Sequence, residues 1–98
     1  MAKFSEIIKQ HPVVLIDFSA TWCGPCQILG PILKEVKSHY GEQLSILKID
    51  VDKNNALATQ YNVQGVPTLI LYKQGEQVWR QSGVLTKEQL IEIIDSHK

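Results

Sequence analysis

Ninety-eight residues, 44% hydrophobic and 20% charged, are enough for one small domain with its own core, and no Gly/Ser/Pro-rich linker divides them. Ten basic and ten acidic residues leave no formal net charge, which argues against general affinity for nucleic acid or for an anionic membrane surface. No apolar run reaches the length of a membrane span, Met1-Ala2-Lys3-Phe4 begins no hydrophobic signal region, and two cysteines in one motif make no disulfide framework, so a cytoplasmic chain is expected.

Residues 4–10 read as a helix with Phe4, Ile7 and Ile8 on one face, capped by Ser5 and stopped by His11-Pro12. The apolar run 13–18 reads as a strand buried on both faces. Cys23 opens a helix lasting to about Tyr40, with Ile28, Leu29, Ile32, Leu33, Val36 and Tyr40 as its apolar face and Gly41 as its stop. Pro31 inside it predicts a kink. Residues 44–49 read as a second buried strand. Asn54 or Asn55 can cap a short helix ending near Tyr61-Asn62, and Asp50 and Asp52 mark the strand end and cap that helix. Residues 68–72 form a third strand, Lys73-Gln74-Gly75-Glu76 a hairpin turn and residues 77–82 a fourth strand. Thr86 and Gln89 make a capping box for the last helix, with Leu85 and Leu90 as its hydrophobic staple. The order is α-β-α-β-α-β-β-α. Strands separated by helices are expected to be parallel, and the final hairpin antiparallel, giving a mixed four-stranded sheet covered on both faces.

The feature that carries chemistry is Trp22-Cys23-Gly24-Pro25-Cys26, placed where a strand runs into a helix. That placement is a pattern of dithiol–disulfide exchange. At the helix N-terminus, free amides and the helix dipole favour a thiolate on Cys23. Cys26, one turn further in, keeps its proton longer. Cys23 is therefore expected to attack a substrate disulfide and Cys26 to resolve the mixed disulfide. Pro25 suits the first helical turn, where its missing donor costs little, and Trp22 can shield the sulfurs. Two thiolates are only half of a zinc shell. His11, His39 and His97 lack metal-ligand spacing and read as surface or capping residues.

Over nearly its whole length the chain resembles the thioredoxin family. The resemblance rests on Asp17-Phe18-Ser19-Ala20-Thr21-Trp22-Cys23-Gly24-Pro25-Cys26, on Pro31, on Gly65-Val66-Pro67-Thr68, and on Gly75 and Gly83. It implies a single thioredoxin-like domain over residues 1–98 that reduces protein disulfides. It also implies no bound cofactor, only a redox-active Cys23–Cys26 pair, and recharging by a flavoprotein reductase that uses NADPH. The working unit is expected to be a monomer. The family's first edge strand is expected to be missing, which leaves an open sheet edge with some tendency to pair. Ser19 stands where many bacterial members have tryptophan, and Gln27 where lysine or arginine is common.

By the same resemblance Asp17 is a buried acid beneath Cys26 that relays its proton, with a raised pKa. Lys48 is the lysine that approaches this acid. Pro67 is expected to be cis and to turn Val66 toward the sulfurs, where its backbone can pair with an extended substrate chain. Trp22, Gly65, Val66, Pro67, Gly83 and Val84 are expected to form a shallow substrate rim. Three other readings compete: an oxidant or isomerase, a binding subunit of another enzyme, and a carrier that bridges zinc or an iron–sulfur cluster between chains.

Overall fold

The computed structural model describes residues 3–98. A short helix α1 (Phe4–Ile7) leads into β1 (Val13–Ser19), the long helix α2 (Gly24–Tyr40), β2 (Ser45–Asp50), α3 (Asn55–Gln60), β3 (Thr68–Lys73), β4 (Glu76–Ser82) and α4 (Lys87–His97). A single 3-10 turn at Gly41–Gln43 links α2 to β2. Among the described residues the sheet has four strands in the order β2-β1-β3-β4.

β1 is buried along its whole length because it lies between two strands and between two helical layers. Its alternation assigns the layers. Val13 and Leu15 face α2 and α4, where they meet Leu29, Leu33, Val36, Leu90 and Ile94. Val14, Ile16 and Phe18 face the other way and pack with Ile8, Ile70, Tyr72 and Phe4. Asp17 follows the odd-numbered residues onto the α2 side.

Several expectations are corrected. The first helix spans only Phe4–Ile7, and its N-cap is Lys3 in extended conformation with no side-chain cap, not Ser5. β2 is half-buried rather than buried, since it is an edge strand. Ile28 is 62% exposed and does not join the apolar face of α2. Asn54 precedes α3 without a side-chain cap bond; its amide group donates to the Asp50 carbonyl instead. The capping box of Thr86 and Gln89 forms as expected, and Leu85 and Leu90 are both buried beside it.

The largest correction is the direction of β3. β2 is parallel to β1, but β3 is antiparallel to β1. Helix length explains the difference. At 1.5 Å per residue, the 17 residues of α2 span about 25 Å and carry the chain back along a full strand. The six residues of α3 span only about 9 Å. Residues 51–67 are long enough to connect parallel strands, but their one short helix does not carry the chain back along the sheet, and β3 starts at the end where β2 finished. The hairpin then closes through Gln74 and Gly75, both at positive φ (52° and 82°), as a two-residue turn of the right twist requires.

Candidate active site

The sulfurs lie where β1 hands over to α2. Cys23 is the N-cap of α2 in extended conformation, and Pro25 occupies the first turn. Cys23 and Cys26 are joined as a disulfide, with Cα atoms 5.2 Å apart. The Cys26 amide donates to Cys23 Sγ at 3.1 Å. Both cysteines are buried, at 4% and 2% exposure, so accessibility does not separate them. The hydrogen bonding does, because the backbone donor points at Cys23 and would stabilise negative charge there.

The antiparallel β3 brings its own entry loop to the same place. The Val66–Pro67 peptide is cis, and the Val66 carbonyl oxygen lies 3.6 Å from Cys23 Sγ. Thr68 fixes this loop: its hydroxyl donates to the Gly65 carbonyl at 2.6 Å and lies 2.9 Å from the Ser82 hydroxyl. The Gly83 amide donates to the Pro67 carbonyl at 2.9 Å. Gly83 has φ of 97°, a conformation that suits glycine. Trp22, Gly65, Val66, Pro67 and Gly83 thus converge, and two apolar side chains are exposed here, Trp22 at 69% and Val84, next to Gly83 in sequence, at 42%.

Sequence reading missed part of this surface. A small cavity of about 110 Å³ is lined by Trp22, Val51, Val63, Gln64, Gly65 and Val66. Asp52 does not cap α3. Its carboxylate accepts from the Trp22 indole Nε1 at 2.8 Å and holds the exposed ring in place. The two residues are 30 positions apart, so no local pattern announces the contact. Asp50 instead closes the turn, accepting from the amides of Asp52 and Lys53 at 2.8 and 3.3 Å.

Asp17 is 1% exposed, and its Oδ1 has no hydrogen-bond partner among the described residues. Burial pushes its pKa up to about 6, while the positive charge of Lys48, its register partner on β2, works against that rise. Asp17 and Lys48 line a groove of about 530 Å³ with Gly30, Leu33, Lys34, Lys37, Ser38 and Ile46. Gly30 is four residues after Cys26, hence on the same face of α2 one turn along. The acid is therefore directed at the flank of α2 below Cys26. Lys48 itself is exposed.

His11 and His97 serve structure. His11 accepts from the Val13 amide at 3.1 Å through Nδ1 and pairs with the Glu42 carbonyl through Nε2. His97 Nδ1 pairs with the Ile93 carbonyl at 2.8 Å. The described residues contain no group of three or more His, Cys, Asp or Glu side chains placed to hold a metal ion. No described helix is long and apolar enough to cross a membrane.

The thioredoxin family profile matches residues 1–96. The chain belongs to the thioredoxin family. It is 52% identical over 92 residues to a thioredoxin-like protein of Synechocystis, covering 93% of this chain and 88% of that one. It is 45% identical over 96 residues to a thioredoxin of Staphylococcus haemolyticus, covering 98% and 91%. Among solved structures, a mutant thioredoxin of Halobacterium salinarum superimposes with a TM-score of 0.89 at 40% identity, over 99% of this chain and 84% of that one. The oxidised mitochondrial thioredoxin 3 of Saccharomyces cerevisiae superimposes with a TM-score of 0.86 at 33% identity, over 95% and 86%. Like other thioredoxins, the protein is a thiol–disulfide oxidoreductase that reduces protein disulfides with its own cysteine pair and no bound cofactor.

Proposed function

We propose that the two cysteines divide the reaction according to their positions on α2. In the reduced protein the Cys23 thiolate attacks one sulfur of a substrate disulfide. That S–S bond breaks, a Cys23–substrate disulfide forms, and the departing thiolate takes a proton. Cys26 then loses its proton to Asp17, through water across the turn of α2 that separates them. The Cys26 thiolate attacks Cys23 Sγ, the second substrate sulfur leaves, and the Cys23–Cys26 disulfide remains. Substrate has gained two electrons and the protein has lost two. The observation that carries this reading is the Cys26 amide aimed at Cys23 Sγ at the start of a 17-residue helix.

Asp17 suits its role because its raised pKa of about 6 lets it exchange a proton near neutrality. Trp22, Gly65, Val66, Pro67, Gly83 and Val84 are the docking rim. The Val66 backbone pairs with an extended segment of substrate, a role supported by its carbonyl lying beside Cys23 Sγ. Gly24 and Pro25 shape the turn, and Lys48 tunes Asp17. The shallow rim suits varied protein substrates better than one small molecule.

The chain acts as a single domain over residues 1–98, as a monomer during turnover, since every group named here lies in one chain. Its electrons come from a flavoprotein reductase using NADPH, and its compartment is the reducing cytoplasm. The experiment that tests the roles is trapping. Cys26→Ser is mixed with a disulfide-containing protein, and adducts are mapped by mass spectrometry. Adducts at Cys23 are expected. Adducts forming through Cys26 in Cys23→Ser, at the wild-type rate, would reverse the assignment.

A further inference from the structure

Among the described residues no strand pairs with the outer edge of β2. The Val51 amide donates to the Ser19 carbonyl at 2.9 Å, so the odd-numbered amides of this segment face β1. By the alternation of a parallel ladder, the backbone groups of Ile46, Lys48 and Asp50 face outward. The Asp50 carbonyl is occupied by Asn54, whose backbone and side-chain nitrogens both donate to it at 3.0 Å. Lys48 still offers a donor and an acceptor, and Asp50 a donor. The opposite edge, β4, is interrupted by a register shift opposite Leu71 and Tyr72, a device that blunts an edge.

The outward edge of β2 complements itself in one antiparallel register. Two-fold pairing centred on Lys48 sets Lys48 against Lys48, and pairing centred on Asp50 sets Asp50 against Asp50. Centred on Leu47, it sets Lys48 against Ile46. Centred on Ile49, it sets Lys48 against Asp50 twice, and opposite charges directly across a ladder attract while like charges repel. The same register lets each Asp50 amide donate to the facing Lys48 carbonyl. It also brings Leu47 against Val51 and Ile49 against Ile49. These three residues are half-buried and pack on the core layer of α1 and α3, so a second copy would extend that layer.

We propose that two copies of this chain associate through the outer edges of β2, antiparallel and two-fold about Ile49, with Lys48 of each copy paired to Asp50 of the other. The interface is isologous. Its ladder is short, so the dimer is weak and forms only as concentration rises. The proposal stands independently of the catalytic roles, although Lys48 also lines the groove over Asp17, so the interface abuts that groove.

The test is sedimentation velocity and native mass spectrometry on the oxidised full chain, from micromolar to millimolar concentration. The unaltered protein is expected to show a reversible dimer that salt weakens. Lys48→Glu and Asp50→Lys, each checked for folding by circular dichroism, are each expected to weaken self-association at least about tenfold. An equimolar mixture of the two is expected to form a heterodimer. There the introduced glutamate meets the introduced lysine, and the unchanged Asp50 meets the unchanged Lys48. Should Asp50→Lys lose its turn and unfold, hydrogen exchange reads the same pairing in the unaltered protein: the Asp50 amide gains protection with concentration. The proposal is overturned by a chain that stays monomeric throughout, by variants that dimerise undiminished, or by a mixture that stays monomeric. An Asp50 amide already protected in the dilute monomer would also overturn it, since another segment would then hold the edge.

Discussion

Replacing Asp17 by asparagine keeps the shape of the side chain and removes its titration. In the folded protein the carboxyl holds its proton up to about pH 6, because burial disfavours the charged form. In the unfolded chain it ionises near 3.8. Below that value both states are protonated and the residue imposes no penalty. Between the two values the unfolded chain sheds a proton that the folded chain keeps, so stability falls as pH rises. Above about 6 both are ionised and the penalty is complete. A rise of about two units corresponds to about 3 kcal/mol, a large fraction of the stability of a small domain. Urea unfolding of the oxidised wild type and Asp17→Asn, from pH 3 to pH 8, isolates this effect. Every other group is common to the two proteins and cancels in the difference. The stability of the mutant relative to wild type is expected to climb by about 3 kcal/mol over that range, steepest between pH 4 and 6. Lys48→Met should move the upper end of the climb to higher pH, since it removes the positive charge that opposes the rise. A difference that stays flat with pH would refute the reasoning, whatever its constant offset, because it would mean that Asp17 has the same pKa folded and unfolded.

The same variant should slow release of the Cys23–substrate disulfide by about 10²-fold, as expected for a lost general base, while first attack changes little; stopped-flow turnover with Asp17→Asn separates the two steps. Cys26→Ser should accumulate mixed disulfides with its substrates through Cys23, read by non-reducing electrophoresis and mass spectrometry. Asp52→Ala frees the Trp22 indole and should raise KM for protein disulfides a few-fold without changing stability by more than about 0.5 kcal/mol, the usual range for a surface substitution. Leu90→Ala, at a fully buried staple position, should cost about 2–5 kcal/mol in denaturant unfolding, and Thr86→Ala about 1 kcal/mol through loss of the cap.

Features of this fold that depend on neighbours in sequence were legible in advance. The capping box needs only Thr86 and Gln89 at the right spacing, and the hairpin only Gln74-Gly75 between two apolar runs. The buried strand Val13–Ser19 announces itself by the apolar run Val13-Val14-Leu15-Ile16, resumed at Phe18 after Asp17. Features that depend on where a segment lies in the sheet were not legible. The edge position of 44–49 is signalled only weakly, by Ser45 and Lys48 set among its four apolar residues. Ile28 matches the helical period but points away from the sheet, because the stripe on α2 is narrower than its apolar composition. Asp52 looks like a cap by position and becomes a partner of Trp22 only through the tertiary arrangement. The cis Val66–Pro67 bond and the acid at Asp17 were expected from family resemblance; neither follows from local pattern alone.

The direction of β3 shows how one local quantity positions the whole site. Because α3 does not carry the chain back along the sheet, β2 ends and β3 begins at the same end of the sheet, which is also where β1 ends and α2 begins. Three separate segments therefore deliver their termini to one spot: Trp22 and the cysteines from the β1–α2 junction, Asp52 from the turn after β2, and Gly65 to Pro67 from the approach to β3. Had α3 been long enough for a parallel crossover, the Val66 carbonyl would lie at the far end of the sheet from Cys23 instead of 3.6 Å away. The open shape of the site follows from the same cause. Loop ends meeting at one end of the sheet form a shallow rim around two buried sulfurs, not a deep pocket. On the docking role proposed for this rim, a protein strand laid across it reaches Cys23, and backbone pairing to Val66 offsets the cost of ordering that strand without reading its side chains.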